Sequence, residues 1–385
     1  MRKGLSAMSI YLDNSATTRV CPEAAEVMVK CMREEFYNPS ALYAPALATQ
    51  KKMRDCRDAV LHAVHAPMGS KALFVSGGTE ADNLVIFSKA AKARTGKVLF
   101  SAGEHPAVKE ACQICGLQPV EIPYDHQGIV DLEALRGLLS ADVMLICCMQ
   151  VNNETGAVQP IREIAALREE FAPYAHLHVD GVQGFLRVPF DMAACKADSY
   201  ALSGHKIHGP KGVGALVFGP RVQLAPRQVG GGQENQLRSG TENTPGIAGL
   251  LAAIQAYPRE NAMRDNKLLL WQKIREAVPE AQVNGPMPDS DLSAPHILNV
   301  SLPPVRSETM LHALEGEGVY VGMGSACSSY KQRISPVLKA MHTPQKYAET
   351  ALRFSLSPEN TAEEMLQAAA VIQRQYAVLS KYQRR

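Results

Sequence analysis

The chain lacks long apolar runs, a surplus of either charge, and any regular spacing of cysteine. No stretch approaches the ~20 apolar residues that a membrane-spanning helix requires, so a helical membrane protein is excluded. Lys and Arg number 40 against 38 Asp and Glu. There is thus no basic excess to release counterions from a phosphate backbone or to hold an anionic lipid surface, and neither nucleic acid nor a membrane is expected as a partner. Met1 to Ile10 contains no hydrophobic core of a signal peptide, which predicts a cytoplasmic location. Nine cysteines, an odd and irregular set, fit a reducing compartment better than a disulfide framework. Cys112-Gln113-Ile114-Cys115 is a lone CxxC inside a predicted helix with no second Cys or His pair, so no metal site is expected. Asn153-Glu154-Thr155 and Asn299-Val300-Ser301 match a glycosylation sequon, which has no consequence without a secretory signal. Internal repeats and low-complexity tracts are also missing.

What is present is a rhythm of short apolar runs and amphipathic stretches spread over 385 residues, enough for two domains or one large α/β unit. Strands are predicted at 72–76, 97–101, 117–122, 143–150, 175–180, 197–203 and 214–219. Helices are predicted at 22–36, 45–66, 80–94, 106–115, 131–140 and 161–171. That βαβ order argues for a mainly parallel sheet covered by helices on both faces. After Tyr257 a charged helix is predicted over 259–277, followed by a Pro/Gly/Asp-rich stretch over 284–295. Strands at 297–302, 319–322 and 351–356 then alternate with helices at 307–316 and 335–341, and a last helix begins at Thr361. The expected division is a large α/β domain over 15–258 and a small α+β domain over 259–385 joined by residues 1–14.

The chemistry gathers at strand ends, where open α/β sheets bind ligands. Ser203-Gly204-His205-Lys206 follows the predicted strand 197–203, and Gly209-Pro210-Lys211-Gly212 prevents a helix from forming after it. A lysine so placed can form a Schiff base, and enzymes of pyridoxal phosphate (PLP) pair such a lysine with an acid for the ring nitrogen. Asp180, ending another apolar run, supplies a candidate acid. A solvated loop lysine is the plain alternative at this point. Ser76-Gly77-Gly78-Thr79-Glu80 turns a strand into a helix through two glycines and leaves free N–H groups for an anion such as phosphate; ordinary helix punctuation is the alternative. His105, just past the strand 97–101, can lie over a planar ring or simply be solvated. Arg238-Ser239-Gly240-Thr241 offers further donors, or a surface loop.

Taken together these motifs resemble the PLP-dependent cysteine desulfurases of the NifS/IscS type, which share the class V aminotransferase fold (the aspartate aminotransferase-like PLP-dependent transferase fold). The resemblance runs from Asp13-Asn14-Ser15-Ala16-Thr17-Thr18 through Gly77-Gly78-Thr79-Glu80-Ala81-Asp82-Asn83 and Glu104-His105. It continues through Asn152-Asn153-Glu154-Thr155-Gly156, His178-Val179-Asp180 with Gln183, and Ser203-Gly204-His205-Lys206. Arg238-Ser239-Gly240-Thr241, Gly324-Ser325-Ala326-Cys327 and Arg353-Phe354-Ser355 complete it.

The resemblance implies that Lys206 holds PLP as a Schiff base and moves protons at the substrate Cα, while Asp180 partners the ring nitrogen. Gln183 is then expected at the ring hydroxyl oxygen, His105 on the ring face, and Gly78, Thr79, Ser203 and His205 around the phosphate. Thr241 would reach the phosphate of the neighbouring subunit, which implies a homodimer with shared sites. Asn153, expected at the cofactor as well, and Arg353, with Asn14, would hold the substrate, the guanidinium fork suiting a carboxylate. Cys327, in the small-residue segment 322–329, would take sulfur from L-cysteine as a persulfide, leave alanine, and pass the sulfur to an acceptor protein, as in iron–sulfur cluster assembly or tRNA thiolation. Its neighbouring glycines permit the swing that this requires. Three features differ from the usual pattern. Tyr43 stands where a histidine commonly follows Asn-Pro-Ser, Gly322-Met323 replaces two serines, and the chain stops at Arg385 without an evident docking tail. Other PLP enzymes of this fold, an aminotransferase or a selenocysteine lyase, would need Lys206 but not Cys327. A non-catalytic partner in a sulfur-handling complex would need neither.

Overall fold

The computed structural model of the protein describes residues 9–324 and 334–382. Cys327 lies outside them. In chain order the first part comprises β1 (Ile10–Leu12), α1 (Pro22–Arg33), α2 (Ala44–Ala63), β2 (Lys71–Val75), α3 (Gly78–Ala93), β3 (Lys97–Ser101), α4 (Pro106–Ile114) and β4 (Gln118–Ile122). It continues with α5 (Leu132–Leu138), β5 (Val143–Met149), α6 (Ile161–Phe171), β6 (His176–Asp180), β7 (Ser199–Ser203), β8 (Gly214–Phe218) and α7 (Thr244–Ala256). The remainder is α8 (Met263–Ala277), β9 (Gln282–Val283), β10 (Ile297–Ser301), α9 (Ser307–Gly316), β11 (Val319–Val321), α10 (Pro336–Ala340), α11 (Gln345–Ala348), β12 (Ala351–Ser355) and α12 (Ala362–Leu379).

Seven strands form the large sheet in the order β2-β8-β7-β6-β5-β3-β4. The neighbours from β7 to β4 are parallel, and β8 alone runs antiparallel to both of its partners. Strands covered on both faces are apolar throughout, and β6, β7 and β8 are buried at every position. One face of the sheet packs Leu99, Ile146, Cys148, Leu177, Val179 and Leu202 into a core with α2 and α7. The other packs Leu73, Phe100, Leu145, Ala201 and Leu216 against α3 and α4. In this setting the polar residues of β6, His176, His178 and Asp180, stand out, since buried polar groups persist only when they are partnered or used.

A three-stranded antiparallel sheet, β12-β10-β9, and the parallel pair β1-β11 make a separate core with α8, α9 and α12, holding Leu12, Leu270, Leu298, Leu314, Phe354 and Ile372. Helix α12 starts on a capping box in which Thr361 accepts from the Glu364 N–H and Glu364 accepts in return from the Thr361 N–H. Helix α7 is not among the elements that the sequence pattern predicts. Its run Gly246-Ile247-Ala248-Gly249-Leu250-Leu251 shows no polar stripe of helical period, and Gly249 is required because a Cβ there would meet Met28 of α1 at 2.9 Å. The charged helix begins at Met263 rather than at 259, where the Asn261 side chain accepts from the Met263 N–H. The second glycine of the Gly-Gly-Thr turn, Gly78, opens α3, two residues earlier than the periodicity predicts. Among the described residues no helix is long and apolar enough to cross a membrane.

Candidate active site

Because β8 alone is reversed, β2, β3, β5, β6 and β7 all end at one edge of the sheet. That edge collects Gly77 after β2, His105 beyond β3, Asp180 at the end of β6, and Ser203 at the end of β7. Lys206 closes a single 3-10 turn, Gly204–Lys206, directly after Ser203. The segment Ser15 to Thr18 lies across this turn: the Thr18 N–H and hydroxyl both donate to the His205 carbonyl at 3.0 Å, and the His208 N–H donates to Thr18 Oγ1 at 2.9 Å.

The Lys206 ammonium donates to the carbonyls of Ser15 and Ala16, the latter at 2.8 Å. Burial, then repulsion from Arg187 and Arg353, lowers its pKa to about 7 against the pull of Asp13 and Asp180. The amine therefore has a large neutral, nucleophilic fraction near neutral pH. Asp180 is buried, and its Oδ1 accepts from the Val182 N–H at 2.9 Å. Burial raises its pKa, opposed by that N–H and by the charges of His105 and Lys206. His105 caps α4 through Nδ1, which accepts from the Ala107 N–H at 3.1 Å. A neutral ring with Nδ1 as acceptor carries its proton on Nε2, and burial favours that neutral form.

Helix α3 starts at the same edge with Gly77 as an N-cap that has no side chain to satisfy the first-turn N–H groups. A Cβ on Gly78 would lie 2.5 Å from Val182 Cγ2, and one on Gly77 would lie 3.6 Å from Ser203 Oγ. Ser203 thus flanks the open helix end, and glycine keeps it accessible. Thr79 and Thr241 are exposed, while His205 is half-buried with Nδ1 3.1 Å from Thr17 Oγ1 and a pKa lowered by burial to about 4. Arg238 Nε donates to Glu80 Oε1 at 3.0 Å and brings the Arg238–Thr241 stretch to the head of α3 in the same chain. An uncapped helix N-terminus, a buried acid beside a neutral imidazole, and a low-pKa lysine are the donor set that PLP requires, so the residues fit that group.

On the other side stands Arg353 of β12. Its Nη2 pairs with Asp13 Oδ1 at 2.6 Å, and Nη1 donates to the carbonyls of Asn153 at 2.9 Å and Gly324 at 3.2 Å. Its Nε is buried without a partner. Asn153 meets Arg353 through its main chain. The Asn14 amide donates to the carbonyls of Ser355 at 2.9 Å and Tyr11 at 3.2 Å and ties the start of the chain to β12. Gln183 donates to the Ser15 carbonyl at 3.0 Å and accepts from Arg187 Nη1 at 3.0 Å. Arg187 was not singled out by sequence reasoning, yet it is buried and donates to the Lys206 carbonyl as well. The signal was an arginine in the otherwise apolar Gly184-Phe185-Leu186-Arg187-Val188-Pro189-Phe190.

Residues 10–367 match the family described as aminotransferase class-V. A cysteine desulfurase of Cereibacter sphaeroides is 39% identical over 363 residues, covering 92% of each chain. The cysteine desulfurase IscS of Clostridium botulinum strain Hall is 35% identical over 92% of this chain and 91% of its own. A solved NifS-like protein superposes with a TM-score of 0.88 at 31% identity, covering 97% of this chain and 100% of its own. The chain belongs to the class-V aminotransferase family and is of the NifS/IscS type.

Proposed function

We propose that the protein is a PLP-dependent cysteine desulfurase that converts L-cysteine to L-alanine and takes the sulfur onto Cys327. The observation that carries this reading is the low-pKa Lys206 at the end of β7, facing the same sheet edge as Asp180, His105 and the open start of α3. When bound, PLP supplies an electron sink for the electrons released at the substrate Cα. In this reading the neutral Lys206 amine anchors the cofactor and carries a proton to and from that carbon. Asp180 would supply a negative charge for the ring nitrogen, His105 would cover the ring, and Gln183 would meet the ring hydroxyl. Gly78, Thr79, Ser203 and His205 hold the phosphate, with Thr241 supplied by the other subunit of a homodimer. Arg353 and Asn153, with Asn14 bracing the floor, bind the substrate carboxylate, for which the unpartnered Nε of Arg353 leaves a donor.

Cys327 then receives the sulfur. Its thiolate attacks the substrate sulfur, the carbon–sulfur bond breaks, and the carbon keeps the electron pair and gains a proton to become the methyl group of alanine. The persulfide is passed to an acceptor protein. The split into a large domain over 15–258 and a small one over 259–385 with 1–14 belongs to the same reading; the separate core of Leu12, Leu270, Leu298, Phe354 and Ile372 supports it, while Val337, Leu338, Met341, Ala348 and Ala351 pack into the core of the large sheet.

The test is to load the protein with PLP, add L-cysteine, and follow alanine together with the mass of the Cys327 peptide. Alanine release with one extra sulfur on that peptide is expected. In Cys327→Ser the cofactor spectrum should still respond to cysteine while alanine formation collapses, because a hydroxyl is almost fully protonated at neutral pH. Full alanine release by this variant would overturn the sulfur-transfer step and favour another PLP enzyme of the fold.

A further inference from the structure

A line of hydrogen bonds lies beneath the site, in the sheet face covered by α3, and takes no part in the reaction described above. Asp82 Oδ1 is 3.1 Å from His178 Nε2, His178 Nδ1 is 2.8 Å from Ser199 Oγ, and the same hydroxyl is 2.8 Å from His176 Nε2. Strand register explains the alignment: His178 pairs with Ser199 across β6 and β7, and His176, His178 and Asp180 share one face by the two-residue period. Asp82, one turn into α3, comes down on that face. All four are buried, His178 and Ser199 at 0%, Asp82 at 1% and His176 at 5% exposed. The far nitrogen, His176 Nδ1, has no hydrogen-bond partner among the described residues and is not among their fully enclosed orphan atoms.

Four groups in single file, each able to donate and accept, can be ordered in two ways. In the first, His176 Nε2–H donates to Ser199, the Ser199 hydroxyl donates to His178 Nδ1, and His178 Nε2–H donates to an ionised Asp82. In the second, every bond is reversed and Asp82 is protonated. The two arrangements differ by one proton, which enters at His176 Nδ1.

We propose that His176, Ser199 and His178 form a proton wire that sets the charge of Asp82 from the far end of β6. The transfer balances: solvent gives a proton to His176 Nδ1, His176 passes its Nε2 proton to Ser199, Ser199 passes its hydroxyl proton to His178 Nδ1, and His178 passes its Nε2 proton to Asp82. Neither histidine becomes an imidazolium at either end point. The groups facing Asp82 are Asp180, Glu104, Cys112 and Cys147, and those facing His176 are Lys89, His178 and Arg168. With two other carboxyls close by, neutralising Asp82 lets Asp180 keep its own charge. The four residues are positioning residues that act through Asp180, and this role rests on the PLP reading given above.

The wire is tested on cofactor-free protein labelled with 15N-histidine, whose nitrogen shifts report tautomers. Between acid and alkaline pH, His176 and His178 should exchange the Nδ1–H form for the Nε2–H form together, at one midpoint. Ser199→Ala should break that coupling and Ser199→Thr should retain it. A wild-type protein in which His178 keeps one tautomer while His176 titrates, or in which His178 becomes doubly protonated, overturns the proposal. PLP affinity is measured in parallel. Ser199→Ala should weaken it severalfold, and Asp82→Asn, an isosteric stand-in for the protonated acid, should restore it in the double variant. Absence of that rescue would overturn the link to Asp180. Should wild-type protein bind no PLP at all, the function reading falls while the histidine shifts still decide the wire.

Discussion

Lys206 is a cation placed where water is scarce and two arginines already stand, and this sets its pH behaviour. With its pKa lowered to about 7, the fraction of neutral amine falls roughly tenfold per pH unit below that value. The rate at which cofactor-free protein takes up PLP should therefore drop about tenfold between pH 6.5 and 5.5 and level off above pH ~8, read by stopped-flow absorbance. Stability moves in the same direction. The unfolded chain holds this proton up to its ordinary pKa of 10.5 and the folded chain releases it near 7, so between those values the unfolded state binds more protons and cofactor-free protein should become more stable as pH rises. Lys206→Met should flatten that slope in chemical denaturation at pH 7.5 and 9.5. The Gly322 departure also has a local reason. A Cβ there would sit 2.7 Å from Asp13 Oδ1 and 2.9 Å from Arg353 Nη2, so Gly322→Ser should displace the guanidinium. A cost of about 1–3 kcal/mol is typical of such overpacking. KM for cysteine should rise about tenfold or more, with a smaller change in kcat, in steady-state kinetics.

Among the elements, α3 carries the most function per turn: its open start faces the site and Asp82 lies one turn further along. Gly78→Ala would drive a Cβ to 2.5 Å from Val182, two residues beyond Asp180. We expect a lower Tm and at least a tenfold weaker PLP affinity from misplacing both groups, of the order of a few kcal/mol in total, measured by thermal melting and spectral titration. The strand ends were legible in the sequence because β6 and β7 are short apolar runs closed by Asp180 and by Ser203-Gly204, and the edge they share follows from parallel order. Helix α7 and strands β1 and β9 were not. The helix is apolar on all sides, β1 has three residues and is defined by Val319–Val321, hundreds of positions away, and β9 has only two residues, too few to show a period. Distance along the chain hid the Asp13–Arg353 pair, since a side chain's neighbours across 340 positions leave no mark on local periodicity, whereas Arg187 left a local mark as the one charge in an apolar run. Asp82 could be read only as part of a motif, because its partner His178 lies 96 positions away.

At the scale of the molecule, the number of chains that build one site is decided by where Thr241 acts. Thr241 and Thr79, the threonines proposed for the phosphate, are exposed in a single chain, and Phe36, Leu42 and Tyr43 add exposed apolar surface near the start of α2, at 65%, 92% and 53% exposure. Each of these exposed surfaces fits cover by a second copy. Sedimentation should then show a dimer, and mixed variants should show whose threonine serves which lysine. Lys206→Ala and Thr241→Ala proteins are to be mixed in equal amounts under conditions that allow subunit exchange. If Thr241 serves the neighbouring site, half of the dimers are mixed, and each has one site with a normal Lys206 and a normal Thr241 beside one that lacks both. Activity should rise to about a quarter of wild type for random pairing of a two-fold dimer. If each chain completes its own site, a mixed dimer contains only a site without the lysine and a site without the threonine. Activity then stays at the average of the two parents, and a mixture that shows no rise above that average would assign Thr241 to its own chain.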